Sequence, residues 1–284
     1  GIGILRLLVL LPFRIQITLG KAIGTVFYWI PSRSRTIAQI NIKTCFPELN
    51  AKQQQQLLRE QSLSLGIALF ESGMCWWAVE KKLLKRVSIT GLDILQKSIR
   101  RGKGVILLTP HFTSLEIGGS VLNHYLPVAV LYREQNNKLF SDIMVRSRTG
   151  NCANLIHRNN IREFMRCLKK NIPVWYAPDQ NYGGKQFTFA NFFNIPAATT
   201  TATARLVQAT GAEVLPFYQI RIEADSKYKM VIGEPLKNFP SNDVDRDTAT
   251  INKALEDMIR QAPGQYLWVH RRFKKRPDGE EKLY

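Results

Sequence analysis

Gly104 to Ser120 reads GVILLTPHFTSLEIGGS, and the fold turns on how this stretch is read. Val105 to Thr109 is a short run of β-branched and leucine residues, the length of one buried strand. Pro110 ends it, because proline cannot donate to a ladder. Thr113 to Glu116 has the S/T-x-x-E form of a capping box, so a helix is expected to start there. His111 is thereby expected at the carboxyl end of a strand, just before a helix. Open α/β sheets bind their ligands at that position.

His111 and Glu116 would lie about 140° apart on one continuous helix and could not share a face. With His111 in the entering loop and Glu116 in the first turn, the imidazole can fold back over the carboxylate. Glu116, near the positive end of the helix, is expected to stay ionised. It could hold one ring nitrogen protonated and leave the other free as a base. The pair is therefore a candidate catalytic dyad. The competing reading makes Glu116 a capping residue and His111 a loop residue.

Outward from this stretch, apolar runs and amphipathic segments alternate from Val87 to Gln261. Strands are expected at Val87–Thr90, Val128–Tyr132, Asn154–His157, Pro173–Tyr176, Val214–Ile222 and Lys229–Ile232. Helices are expected at Leu92–Arg101, Ser114–Asn123, Lys138–Arg148, Ile161–Lys170, Thr200–Thr210 and Asp247–Gln261. The alternation predicts an α/β fold with a mainly parallel mixed sheet flanked by helices. Ser32 to Lys82 is expected to be helical.

Gly1 to Pro31 is the most apolar part of the chain. On a continuous helix Arg6, Arg14 and Lys21 would form one narrow basic stripe, and Tyr28 and Trp29 suit a membrane–water interface. Pro12 interrupts it, and no charge-free run reaches the roughly 18 residues of a span. An apolar membrane-anchor helix over 1–31 is expected, lying in or dipping into the bilayer, with one catalytic domain over 32–284. A distorted span and a core helix are the alternatives.

Lys and Arg number 40 and Asp and Glu 22, a net charge of +18, which points to an anionic partner. Cys45, Cys75, Cys152 and Cys167 form no C-x-x-C pair and read as reduced thiols. Nucleotide-binding loops, a G-x-S-x-G elbow and metal-ligand spacings are absent, so no cofactor and no metal are expected. Arg133, leaving a strand, and Arg148, on the following helix, could bind phosphate or an acidic partner, or face solvent. Asp179 is a site acid or a turn residue. Trp268 to Pro277 (WVHRRFKKRP) mixes aromatics with cations, as a nucleic-acid or anionic-membrane surface would. His270 within it has no acid nearby in sequence and ranks below His111.

Several of these stretches together resemble one family. H-x4-E after a strand, YREQNN, R-S-R-T-G, PDQNYGG followed by FFNIPAATT, and WVHRRFKKRP look like the late acyltransferases of lipid A biosynthesis. These are the lauroyl/myristoyl transferases of the larger lysophospholipid acyltransferase group. The likeness runs from the apolar N-terminus to about Pro277. It implies O-acyl transfer from acyl-acyl carrier protein to a hydroxyacyl chain of a Kdo-bearing lipid A precursor, on the cytoplasmic side of an inner membrane. It also implies catalysis by His111 and Glu116. Arg148 and Asp179 match positions that look functional in the family and are assigned to substrate binding, as is Arg133 on its own placement after a strand. An acidic carrier protein, a phosphorylated lipid and an anionic membrane surface all suit a +18 chain; nucleic acid is not expected. A glycolipid or lysophospholipid acyltransferase and a non-catalytic basic membrane-binding protein are the rival readings.

Overall fold

A computed structural model describes residues 2–77, 83–134, 137–222 and 227–284. The helical expectation for 78–82 and the YREQNN positions Gln135 and Asn136 lie outside the described residues. The centre is a seven-stranded sheet formed by β1 (Val87–Thr90), β2 (Val105–Leu108), β3 (Ala129–Tyr132), β4 (Asn154–His157), β5 (Val174–Tyr176), β8 (Glu213–Ile222) and β9 (Lys227–Ile232). Its order is β1-β9-β8-β2-β5-β3-β4, and every pairing is parallel except β8 with β9. All four residues of β2 are buried, as a strand covered on both faces requires. Val105 and Leu107 enter one core layer and Ile106 and Leu108 the other.

Helices α5 (Leu92–Arg100) and α6 (Leu115–Tyr125) cover the first face. The second face packs on α3 (Arg33–Cys45), α8 (Ile161–Lys169), α9 (Ala202–Thr210) and α10 (Val244–Arg260). α7 (Lys138–Asn151) links β3 to β4. A separate hairpin, β6 (Phe187–Phe192) and β7 (Ile195–Thr200), was not expected from the sequence. Its turn residues Phe193 and Asn194 have φ of 51° and 62°, the primed geometry that suits a tight hairpin. The usual Asn-Gly signal is missing and Pro196 stands within β7, so the strand pattern is masked. α10 supplies what the turn lacks: Glu256 accepts the Phe193 amide at 2.7 Å, and Asn252 donates to the carbonyls of Ala190 and Asn191.

The N-terminal expectation needs correction. Residues 1–31 do not form one helix but α1 (Ile2–Leu8) and α2 (Phe13–Trp29), broken before Pro12. Gln16 holds the break by donating to the carbonyls of Val9 and Leu11. The continuous basic stripe is therefore interrupted. No helix among the described residues is long and apolar enough to cross a membrane.

α2 lies against α4 (Ala51–Trp77) through Gly20, Gly24 and Gly66. A Cβ on Gly66 would stand 2.1 Å from the Gly20 carbonyl oxygen and 2.4 Å from the Gly24 nitrogen. Neither backbone atom can move away cheaply. Gly→Ala inside a helix ordinarily stabilises by about 1 kcal/mol. Gly66→Ala is expected to reverse that sign and cost about 1–3 kcal/mol through overpacking, read by denaturant unfolding.

Candidate active site

β2 and β5 are parallel neighbours with Leu108 opposite Tyr176. Each strand is followed by one residue, then proline, then an ionisable side chain: Thr109-Pro110-His111 after β2 and Ala177-Pro178-Asp179 after β5. The matched register puts His111 and Asp179 side by side above the strand ends. Asp179 Oδ2 accepts the His111 backbone N–H at 2.8 Å, and Oδ1 pairs with Nδ1 of the same residue. The Asp179 side chain has no exposed surface, whereas His111 keeps 27% of its own. Burial pushes the Asp179 carboxyl up, but the His111 charge, its two hydrogen bonds and the Tyr266 hydroxyl outweigh burial and hold the pKa at about 2. The carboxylate is thus ionised and fixes the Nδ1–H tautomer of His111, which leaves Nε2 for an incoming group.

This corrects the expected pairing of His111 with Glu116. Glu116, in the first turn of α6, forms a two-pronged ion pair with Arg148 of α7: Nη2 meets Oε1, and Nε donates to Oε2 at 3.4 Å. Burial lowers the Arg148 pKa, and the Glu116 carboxylate more than reverses that. The capping box is not formed either. Ser114 is the N-cap and makes no side-chain cap bond. Thr113 Oγ1 instead meets Ser64 Oγ at 2.6 Å and Arg221 Nη2 at 2.7 Å. That guanidinium belongs to a buried cluster in which Arg221 pairs with Glu71 and Tyr228 donates to Glu71 at 2.7 Å. The His111 loop is also stitched to the C-terminal segment. Thr113 N donates to the Gln265 carbonyl at 2.9 Å, and Leu267 N to the His111 carbonyl at 3.0 Å.

Glu116 and Arg148 stand in the wall of a cavity whose other lining is mainly small or apolar, including Cys75, Leu115, Gly119 and Trp175. Gly119 keeps it open at close quarters, since a Cβ there would meet the Trp175 ring at 2.7 Å. The arrangement sets a paired cation in the wall of a mainly apolar recess. Arg133 is exposed at the exit of β3, and its charge reaches His270. Arg133, Arg148 and Asp179 therefore play three different geometric parts.

The WVHRRFKKRP stretch is mostly folded into the body. Arg272 is 3% exposed and donates to the Ala198 carbonyl at 2.8 Å and to Thr199 Oγ1 at 2.7 Å. Asn41 donates to the carbonyls of Trp268 and His270, and Arg276 to that of Pro196. These aromatics and cations join the hairpin to α3, so their mixture is no sign of a nucleic-acid surface. Sequence reasoning missed two things here: the role of Asp179 as the partner of His111, and the presence of His270 in the site. The repeated strand-Pro-ionisable pattern was the available signal for the first. Nothing local signalled the second.

Residues 1–275 match the family model for bacterial lipid A biosynthesis acyltransferases. The chain is 38% identical over its whole length to the lipid A biosynthesis palmitoleoyltransferase of Escherichia coli K12, covering 93% of that protein. It is 31% identical to the lipid A biosynthesis lauroyltransferase of the same strain, again over the whole chain and 93% of the relative. With that strain's lipid A biosynthesis myristoyltransferase the identity is 26%, over 88% of this chain and 78% of the relative.

Proposed function

Because this chain belongs to the bacterial lipid A biosynthesis acyltransferase family, we propose that it moves an acyl group of the lauroyl or myristoyl class from acyl-acyl carrier protein to a hydroxyl on a hydroxyacyl chain of a Kdo-bearing lipid A precursor. The observation that carries the mechanism is the double hydrogen bond between His111 and the buried Asp179. His111 Nε2 takes the proton of the acceptor hydroxyl as that oxygen attacks the thioester carbonyl. A C–O bond forms and the carbonyl oxygen becomes an oxyanion. Its collapse breaks the C–S bond, and the His111 imidazolium protonates the departing thiolate. Asp179 stabilises that imidazolium. Glu116 orients Arg148 at the wall of the apolar recess, and the recess takes the acyl chain.

Direct transfer fits the cysteines. Burial pushes the thiols of Cys45, Cys75, Cys152 and Cys167 up, which makes them poor nucleophiles. Leu7 and Leu10 are 69% and 78% exposed, Trp29 73%, and Arg6 and Arg14 are exposed beside them. An apolar surface dotted with cations suits the anionic cytoplasmic leaflet of an inner membrane, with 1–31 as its anchor and 32–284 as the catalytic body.

A mass-spectrometric assay tests this reading. The precursor is presented in phosphatidylglycerol vesicles with lauroyl-, myristoyl- or palmitoleoyl-acyl carrier protein. The expected result is a gain of one acyl mass, co-flotation of the protein with the vesicles, and a loss of about 10²-fold in rate for Glu116→Ala. Thioester consumption only with a glycolipid or lysophospholipid acceptor would move the protein to that acceptor class. No turnover with any acceptor would leave a membrane-binding protein without catalysis.

A further inference from the structure

His270 stands beside His111, although nothing near it in sequence marks it. The two ring centroids are 5.9 Å apart and the rings are inclined at 62°. The backbone of His270 is fixed, because its carbonyl accepts from Asn41 Nδ2 at 2.7 Å and from the Arg272 amide at 2.8 Å. Its side chain is fixed as well. Gln180, one residue beyond Asp179, brings its amide Nε2 to 2.9 Å from His270 Nε2. An amide nitrogen only donates, so His270 Nε2 accepts and the ring proton sits on Nδ1.

We propose that His270 is a second catalytic imidazole, a neutral Nδ1–H donor that stabilises the oxyanion formed on the thioester carbonyl. This rests on the acyl-transfer reading above and names a group which that mechanism leaves open. A base works within about 3 Å of the hydroxyl it deprotonates, and an oxyanion donor within about 3 Å of the developing charge. With centroids 5.9 Å apart, the two rings are close enough for one thioester carbonyl group to come within reach of both. Burial, and next the charge of His111, pull the His270 pKa down to about 4. A neutral donor sets no second positive charge against the imidazolium that His111 must become.

Two amide substitutions separate catalysis from support. The amide of Asn reaches the place of His Nδ1, and the amide of Gln the place of Nε2. His270→Gln keeps a partner for Gln180 and loses the donor. His270→Asn keeps the donor and loses that partner. With the full chain, acyl-acyl carrier protein and the acceptor on which wild type turns over, His270→Gln is expected to lower kcat by about 10²–10³-fold with KM changed less than about threefold. His270→Asn is expected to stay within about tenfold of wild type. Equal losses in both variants, or a folded His270→Gln with wild-type kcat, would overturn the proposal. Should the Gln variant not fold, His270→Ala replaces it in the same comparison. If wild type transfers nothing, or His111→Ala remains active, the failure lies with the acyl-transfer reading and not with His270.

Discussion

Replacing His111 by Ala is expected to lower kcat for acyl transfer by about 10²–10⁴-fold, the usual worth of a positioned general base. Asp179→Asn is expected to cost about as much, roughly 10³–10⁴-fold, although it removes only a charge. The reason is geometric. The backbone N–H of His111 can only donate, so the single oxygen of Asn must take the place of Oδ2. The amide N–H₂ is then forced against Nδ1. Nδ1 becomes an acceptor, the ring proton moves to Nε2, and the base is lost with the fold intact. Steady-state kinetics beside a thermal melt checks this. Near-wild-type kcat in Asp179→Asn would refute the role of the carboxylate. Asp179 also carries a sign for pH. Its folded pKa, about 2, lies below the ordinary carboxylate value near 4. The stability it adds is therefore present above about pH 4 and is lost as pH falls toward 2, a loss that Asp179→Asn should lack.

Arg221→Met is expected to destabilise the protein by about 3–5 kcal/mol, because it strands the Glu71 carboxylate in the interior. The Arg221 and Glu71 side chains keep only 5% and 1% of their surface exposed. The guanidinium pairs with Glu71 and also donates to Ser64 at 2.7 Å and to Thr113 at 2.7 Å. Removing it withdraws donors from a carboxylate that water cannot reach. For a chain of this size the loss corresponds to a fall in Tm on the order of 10 °C. The double variant Glu71→Leu with Arg221→Met is expected to recover much of that loss, since no charge is then left unpaired. A double variant no more stable than Arg221→Met alone would show that the cluster acts through something other than its charge pair. Thr113 lies two residues beyond His111, so the cluster also braces the loop that carries the base.

Much of the architecture was legible locally. Val105 to Leu108 is a continuous apolar run because β2 is covered on both faces, and the strand–helix alternation announced a mainly parallel sheet. The H-x4-E stretch was found at a strand end because Pro110 punctuates it. The β6–β7 hairpin escaped because its turn relies on Phe193 and Asn194 at positive φ, held by Glu256 of a distant helix. The break in the N-terminal helix was hinted at by Pro12, but its stabilising partner is the Gln16 side chain.

Sequence by itself determined which residues could do chemistry, because strand ends, helix starts and prolines are local signals read over a few neighbours. It also determined the charge and the apolar N-terminus that any partner must match. Tertiary structure alone decided who pairs with whom. His111 and Asp179 are 68 positions apart and meet only through the register of β2 on β5. Glu116 is turned from the histidine to Arg148, 32 positions away, because α7 lies against α6. His270 reaches the site because Asn41, Gln180 and the Leu267–His111 backbone hydrogen bond hold its segment there. Hydrogen bonds and ion pairs act over a few ångströms of space, and sequence spacing measures that distance only within a single element.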